Sequence, residues 1–400
     1  GEKVVAELGW SRTFVTFCAA VFCVALMFFA SGCWDSINIE SRGFVVALGL
    51  EPVKDRDDKD ISVTIMMPPT RAAGGRAGGG QGEEGQGGAE WGPQKAFVVE
   101  EKGLFLEDAV EEMRSKVGGI IDFSALEFLV IGNGLGPDDL WRSLNTVLFF
   151  RHIPLASLVL ATEEDVGKLM RLSPASGKTF SEVLSGLQAQ SRQGLGNVYF
   201  PMTWKVMSII RNEAGDIVLP LMGLTEKGDG LEAIGTAVYD GARRAGRLGP
   251  TDSMLLYGIA WRKHLGGTYI MRHAGREFSV RIISMKTKVS VTGTNVGGMP
   301  RIGVKLSVAA RLLDSGGYRV SIADRSQLNE LKAAAERDLE NRLREILVKL
   351  KEWNSDAMRL YHALRPKMPS ISYDEFKRMY PELEVDFEVS MDLRRAGLLR

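Results

Sequence analysis

Near its C-terminus the chain reads LEVDFEVSMDL from Leu383 to Leu393, with apolar and polar side chains in strict alternation. A period of two is typical of a β-strand that has one face in a core and the other in solvent. The alternation predicts that Val385, Phe387 and Val389 face the core.

The opposite face of this strand carries three carboxylates, which we call the acidic row: Glu384, Asp386 and Glu388. Two interpretations of the acidic row stay open. It is either a solvated face of the sheet or a docking surface for a basic patch on a partner protein.

A long amphipathic helix is predicted before the strand. Residues 328–353 read LNELKAAAERDLENRLREILVKLKEW, with apolar residues every three or four positions. At 1.5 Å per residue, such a helix extends about 40 Å and can cover one face of a sheet. Strands predicted at 269–272, 277–291 and 302–313 supply that sheet. We therefore expect residues 216–400 to form a C-terminal domain, an antiparallel sheet covered by a long helix.

The preceding region, residues 33–215, mixes predicted strands such as Ile61–Met67 with predicted helices such as Leu106–Lys116. Arg71–Pro93 contains ten Gly among its 23 residues and almost no apolar side chains, so we expect a flexible loop there. The boundary is predicted at 215/216, where the composition becomes loop-like. The predicted fold class is α+β and multi-domain, with a mixed α/β N-terminal region.

Composition excludes several classes of function. The 400 residues include 50 Lys+Arg and 50 Asp+Glu, and this zero net charge argues against a nucleic-acid partner. The cysteines are Cys18, Cys23 and Cys33, so the chain contains none after position 33. Internal disulfides, cysteine metal ligands and a cysteine nucleophile are therefore excluded for the rest of the chain.

The N-terminal residues predict an export signal. Two basic residues precede an uncharged apolar run, residues 14–30, and small residues lead from it to Cys33. This order is typical of a secretory signal peptide, and Ala-Ser-Gly-Cys resembles the lipobox of bacterial lipoproteins. We expect residues 1–32 to be a lipoprotein signal peptide and Cys33 to be lipidated, so that acyl chains anchor the protein in the bilayer. The alternative is a retained membrane helix, which also places the rest of the chain outside the cytoplasm.

Two segments resemble nucleotide-binding motifs only in part. Gly132–Pro137 (GNGLGP) has proline in place of the third glycine of the dinucleotide fingerprint, although Glu163 follows the next predicted strand, where a ribose-binding acid would lie. Residues 177–179 (GKT) match the tail of a P-loop, but Leu172 stands in place of its leading glycine. We interpret the first segment as a turn before a helix and the second as a helix N-terminus.

The titratable residues show no catalytic pattern. The four histidines are isolated in the sequence: His152, His264, His273 and His362. None belongs to an i, i+4 pair of the kind that binds zinc on a helix. The paired acids at 138–139 and 163–165 lie at predicted helix N-termini, where negative charge is favourable. We therefore predict no enzyme, no metal site, no cofactor and no catalytic residue.

A set of segments, in order along the chain, resembles one known family. They are Cys33–Asp35, Gly43–Glu51, Gly235–Tyr239, Gly246–Leu248, Ser284–Lys288, Tyr380–Leu383 and Arg394–Leu398. Together they resemble the Ger(x)C family, the lipoprotein C-subunits of spore germinant receptors, over essentially the whole mature chain. Asn38 stands where an acid is usual, and Glu51 replaces the commoner Asp. Neither departure affects Cys33. Trp34, next to it, either lies at the lipid interface or packs on the domain.

The resemblance implies a non-enzymatic subunit required for nutrient-triggered germination, anchored through lipidated Cys33 on the outer face of the inner spore membrane. The partners that it implies are a membrane-embedded A subunit and a transporter-like B subunit. An alternative is an extracytoplasmic solute-binding lipoprotein of a transporter, which the long C-terminal strands disfavour because such proteins have two lobes of repeated strand–helix units. A further alternative, an extracytoplasmic enzyme, lacks a polar constellation in the sequence.

Overall fold

The computed structural model describes residues 14, 15, 17, 20–22, 42–53, 61–68, 96–149, 153–172, 177–211, 215–261, 266–294, 298–314 and 325–395. Cys33, Trp34 and the Gly-rich loop Arg71–Pro93 lie outside these residues, and what the sequence predicts of them stays a prediction. The chain divides into two compact units, Gly1–Gly43 and Phe44–Arg400.

In the first unit, the described residues of the predicted apolar run are helical. Their large side chains are between 53% and 69% exposed: Phe14, Val15, Phe17, Val21 and Phe22. Within the part of the chain that the structure describes, no helix combines the length and the hydropathy needed to span a membrane.

The longest strands lie in the second half of the chain. Their bounds are β1 (Arg42–Phe44), β2 (Ala47–Pro52), β3 (Ile61–Met67), β4 (Phe97–Gly103), β5 (Ile120–Asp122), β6 (Phe128–Ile131), β7 (Leu158–Thr162), β8 (Val218–Leu224), β9 (Leu231–Asp240), β10 (Arg243–Leu248), β11 (Gly267–His273), β12 (Arg276–Thr294), β13 (Pro300–Asp314) and β14 (Glu384–Arg395).

The helices lie between these strands. Their bounds are α1 (Leu106–Val117), α2 (Pro137–Phe149), α3 (Val166–Met170), α4 (Phe180–Arg192), α5 (Thr203–Arg211), α6 (Pro250–Ala260), α7 (Arg325–Glu352), α8 (Leu360–Leu364) and α9 (Tyr373–Met379). Strands and helices thus mingle in the first half, and the predicted α+β class is confirmed.

The larger sheet described in the second unit has eight strands, in the order β10-β9-β8-β7-β6-β2-β3-β4. Its central strands β2, β6, β7 and β8 run parallel, whereas the outer pairs are antiparallel. The central strands are buried nearly throughout, which is why they read as continuous apolar runs in the sequence.

This sheet continues across the predicted boundary at 215/216. Strands β8, β9 and β10 follow the boundary, yet β8 pairs with β7 in register at Ala161–Leu221 and Thr162–Met222. Residues on both sides of 215/216 therefore build one sheet. The division into two domains at 215/216 stays a prediction, and the two predicted domains share this sheet.

A four-stranded sheet has the order β11-β12-β13-β14. Strands β11, β12 and β13 are antiparallel, as predicted, but β14 pairs parallel with β13. The prediction of a wholly antiparallel C-terminal sheet was wrong for this strand. Helix α7 is the reason, because a helical crossover between two neighbouring strands returns the chain to the end of the sheet from which it started.

Helix α7 packs against the sheet through its predicted apolar stripe. The buried members of the stripe are Leu331, Ala335, Leu339, Leu343, Ile346, Leu347 and Leu350. Phe387 and Val389 of β14 are each 6% exposed, while Val385 is half-buried. The two faces of β14 were therefore predicted correctly. Burial of apolar area between α7 and β14 stabilises their packing by about 25 cal/mol per Å².

Candidate functional site

The loop after β6, which resembles a dinucleotide fingerprint, is filled by its own neighbours. The Gly132 N–H donates to the Leu50 carbonyl at 2.7 Å. A Cβ atom at Gly132 would lie 2.5 Å from the Cβ of Glu51 and 3.1 Å from the Cγ2 of Val166. The buried Glu51 carboxylate accepts a hydrogen bond from the Val166 N–H at 3.3 Å. Glycine at position 132 is thus explained by the close approach of β2 and α3, and its N–H is not available to a phosphate.

Glu163, the residue in the position of a ribose-binding acid, forms ion pairs with β10. Its Oε1 lies 2.5 Å from Arg244 Nη2 and its Oε2 lies 2.8 Å from Arg247 Nη1. Arg244 also donates to Asn133 Oδ1 at 3.0 Å, in the glycine loop. The polar groups at this end of the parallel strands therefore tie β10 to β6 and β7, and the arrangement does not resemble a nucleotide site.

The GKT segment forms a capped helix N-terminus, as interpreted from the sequence. Thr179 is the N-cap of α4, and its Oγ1 accepts from the Glu182 N–H at 3.4 Å. Glu182 Oε2 accepts in return from the Thr179 N–H at 2.6 Å. This backbone hydrogen bond is the main reason that the pKa of Glu182 is lowered. Such a reciprocal pair is a capping box and serves the helix itself.

The histidines are apart from one another where the structure describes them. His273 Nε2 lies 3.3 Å from Glu330 Oε1, and His362 contacts Arg359. His152 and His264 lie outside the described residues. Across the described ranges, no three His, Cys, Asp or Glu side chains gather closely enough to hold a metal ion.

The acidic row lies on β14 beside two basic residues of β13. Arg301 Nη2 is 2.6 Å from Glu384 Oε2, and Arg301 Nε is 3.6 Å from Asp386 Oδ2. Lys305 Nζ is 2.6 Å from Glu388 Oε2. The parallel register places each basic residue next to its acid, so the row is partly neutralised within its own sheet. This favours the solvated interpretation; docking on a partner stays a prediction.

A buried charged cluster, which the sequence analysis did not find, lies between β8, β9 and the C-terminal helices. We call it the Asp216 cluster, and its members are Asp216, Asp240, Asp356 and Lys377. The Lys377 ammonium lies 2.8 Å from Asp216 Oδ2 and 2.8 Å from Asp240 Oδ1. Asp216 also accepts hydrogen bonds from the Gly241 N–H at 2.6 Å and the Asp356 N–H at 2.5 Å. The Lys377 ammonium therefore lies between the Asp216 and Asp240 carboxylates and compensates their negative charge.

Asp356 is the fully buried member that orients the start of α8. Its Oδ1 accepts from the Leu360 N–H at 2.7 Å and its Oδ2 from the Tyr361 N–H at 3.0 Å. Burial raises the pKa of Asp356 to about 7, although these two backbone hydrogen bonds act in the opposite direction. Ser355, next to it, donates to the Tyr239 carbonyl at 2.7 Å.

The Asp216 cluster holds the segment after α7 against β8 and β9. Removing one partner of a buried ion pair typically costs about 3–5 kcal/mol, because the other charge is left without compensation. No local motif could have predicted the cluster, since Lys377 and Asp216 are 161 positions apart in the chain. The geometry indicates a structural junction between β8, β9 and the C-terminal helices.

Comparison with known proteins agrees with the predicted resemblance over most of the chain. Residues 35–224 match the family described as Spore germination protein N-terminal domain. Residues 234–397 match the family described as Spore germination B3/ GerAC like, C-terminal. The Spore germination protein KC of Bacillus subtilis (strain 168) is 21% identical over 406 residues, which cover 92% of each chain.

A solved structure shares the fold. The crystal structure of the GerBC protein matches with a TM-score of 0.51 at 13% identity, and the match covers 86% of this chain and 97% of that chain. The two sequence matches follow one another along the chain and leave residues 1–34, 225–233 and 398–400 unmatched. The chain therefore belongs to the GerAC-like family of spore germination proteins, the C-subunit family of germinant receptors.

Proposed function

We propose that the chain is a lipid-anchored C-subunit of a spore germinant receptor and is required for nutrient-triggered germination. The observation that carries the proposal is the pair of family matches, which together run from residue 35 to residue 397. The first match begins two residues after Cys33, where the mature chain of a lipoprotein would start. In this proposal the protein lies on the outer face of the inner spore membrane and assembles with membrane-embedded A and B subunits.

Membrane attachment is proposed to come from acyl chains on Cys33. The preceding segment has the charge and hydropathy of a signal peptide, and its described side chains Phe14, Phe17 and Phe22 are largely exposed. Two or three acyl chains bind a bilayer stably at about 0.8 kcal/mol per buried CH₂.

The proposed role is assembly within the receptor and not catalysis. The residues that resemble enzyme motifs serve other purposes here: Glu163 forms ion pairs with β10, and Thr179 caps α4. The Asp216 cluster is occupied by its own lysine. These contacts support a rigid scaffold that presents its surface to other subunits.

Substitution of Cys33 tests the proposal. We expect Cys33→Ala to abolish lipidation and to leave spores defective in germination, whereas the matched control Cys23→Ala, within the apolar run, should behave like the parent. Mass spectrometry of the membrane-extracted protein should find diacylated or triacylated Cys33 as the first residue.

Two results would contradict parts of the proposal. An unmodified Cys33 behind an intact 1–32 segment would show that the membrane helix is retained and lipid is absent. Co-purification with the subunits of a solute transporter, in place of receptor A and B subunits, would favour the solute-binding alternative.

A further inference from the structure

A cavity of about 470 Å³ lies where α5, the end of α6, β12 and α8 meet. Its polar side chains are Lys205, Arg359 and His362, and Trp261 forms part of its wall. The remaining lining is apolar and comes from Ile259, Ala260, Val289, Met358, Ala363 and Pro366. Cavities of roughly 300–1,000 Å³ with a few converging polar groups are typical of small-molecule sites.

Two cations converge on one indole ring at this cavity. Lys205 Nζ lies 4.0 Å from the centroid of the Trp261 ring, and the guanidinium carbon of Arg359 lies 5.0 Å from it. Tyr199 extends the aromatic surface, with its ring centroid 5.7 Å from that of Trp261. Both cations are therefore held in defined positions by the aromatic surface that they share.

Arg359 lies half-buried, and none of the described carboxylates forms an ion pair with it. Its backbone is left-handed, with φ 58° and ψ 39°, a conformation that is unfavourable for arginine. Desolvation lowers its pKa, and the nearby charge of Asp356 only partly opposes this. A partly desolvated guanidinium beside a cavity is stabilised when an anion binds there.

His362 and Trp261 complete the polar wall. The Arg359 guanidinium donates to His362 Nε2. Desolvation lowers the pKa of His362, and the positive charges of Arg359 and Arg365 lower it further, so the ring is a neutral acceptor that orients the guanidinium. Trp261 is 7% exposed, and within the described structure its Nε1–H is buried without a hydrogen-bond partner.

We propose that this cavity binds a small organic carboxylate with an apolar or aromatic body. The carboxylate pairs with Lys205 and Arg359, and the body packs on Trp261 and the apolar lining. Arginine and lysine both bind carboxylates, and charge-assisted hydrogen bonds of this kind are stronger than neutral ones. The proposal depends on neither lipidation nor receptor assembly, and its test is independent of both.

The test uses 4-fluorobenzoate and its neutral isostere 4-fluorobenzamide as probes of the purified full chain in detergent. Line broadening in ¹⁹F spectra reports weak binding to the protein. We expect saturable broadening of 4-fluorobenzoate and at least about tenfold weaker binding of the amide, which corresponds to about 1.4 kcal/mol. The amide keeps the aromatic body of the acid but lacks the negative charge that the two cations recognise.

Two variants locate the site. Lys205→Met removes the ammonium and keeps an apolar stem, and Arg359→Asn removes the guanidinium with a residue that tolerates a left-handed backbone. We expect each variant to bind 4-fluorobenzoate about tenfold more weakly than the parent, or weaker still. Arg114→Gln, which removes an exposed cation on α1, should bind like the parent. Thermal unfolding checks that every variant is folded.

Three outcomes would overturn the proposal. They are the absence of saturable broadening with the parent protein, equal affinity for the acid and the amide, and parent-like binding by a folded Lys205→Met. If Arg359→Asn fails to fold, Lys205→Met together with the comparison of the two probes still decides the question.

Discussion

A single buried residue, Asp356, makes the stability of this protein depend on pH. Asp356 is fully buried, lies next to Asp216 and takes two backbone hydrogen bonds, and its pKa is raised to about 7 mainly by burial. An ordinary aspartate titrates near 3.9. The folded protein therefore binds a proton on Asp356 between about pH 4 and pH 7, where the unfolded chain does not.

This difference predicts a pH dependence of stability. Since the folded pKa is raised, the contribution of Asp356 is fully present below about pH 4 and is lost as the pH rises through about 7. A difference of this size between the folded and unfolded pKa corresponds to about 4 kcal/mol. In Asp356→Asn, which does not titrate, we expect this loss to disappear from urea unfolding curves measured between pH 4 and 8.

The matched control for this prediction is Asp374→Asn, which changes an exposed carboxyl group on α9. Its dependence of unfolding free energy on pH should follow that of the parent. The same pH dependence in Asp356→Asn and the parent would show that Asp356 is ionised in the folded protein throughout this range.

Among the elements, the edge strand β14 shows how the fold limits unwanted strand pairing. Two backbone N–H groups of β14 are bonded to side chains of α7: Glu340 accepts from the Val389 N–H at 3.1 Å and Glu336 from the Met391 N–H at 2.8 Å. Lys351 donates to the Leu383 carbonyl at 2.7 Å, just before the strand. An edge whose N–H groups are already bonded is a poor template for a further strand.

Removing these acceptors should expose the edge. In the double variant Glu336→Ala with Glu340→Ala, we expect a loss of about 1.5–3 kcal/mol of stability for each lost hydrogen bond to a charged acceptor, and increased self-association in light scattering. The double variant Glu336→Gln with Glu340→Gln keeps amide oxygens as acceptors and should remain monodisperse. If both double variants self-associate equally, the charge of these glutamates and not their acceptor oxygens protects the edge; if both stay monodisperse, the glutamates do not protect it.

At the scale of the whole molecule, the sequence predicted local periodicity better than long-range arrangement. Ile61–Met67 has the predicted strand bounds, and the stripe of α7 and the buried face of β14 were also predicted. The parallel pairing of β14 was missed, because alternation reveals a strand's faces but not its direction. Strand β8 was missed because Pro220 and Gly223 interrupt its pattern, and α5 was not predicted from its sequence.

The candidate sites follow the same rule. The helix N-terminus at residues 177–179 depends on neighbours in sequence and was predicted, whereas the N-cap role of Thr179 is seen in the structure. The ion pairs of Glu163 with Arg244, the Asp216 cluster and the cavity at Trp261 join residues that are distant in the chain, so no local motif announces them. The proposed lipidation of Cys33, in contrast, rests on a local motif, and mass spectrometry of the protein tests it.

The continuity of the eight-stranded sheet gives the last prediction, which concerns folding of the regions 33–215 and 216–400. Strand β8 is buried nearly throughout, pairs with β7 and belongs to the same compact unit, Phe44–Arg400. Cutting the chain at 215/216 exposes one edge of β8 and removes the partners of Arg244 and Arg247. We expect fragment 216–400 alone to unfold at a lower temperature than the whole chain, or to aggregate through β8.

Co-expression with fragment 33–215 should restore a soluble complex, because the pairing of β7 with β8 needs no covalent link. If 216–400 alone unfolds as cooperatively and at the same temperature as the intact chain, the predicted boundary is also a boundary between folding units. In that case the pairing at Ala161–Leu221 and Thr162–Met222 only docks two independently stable parts.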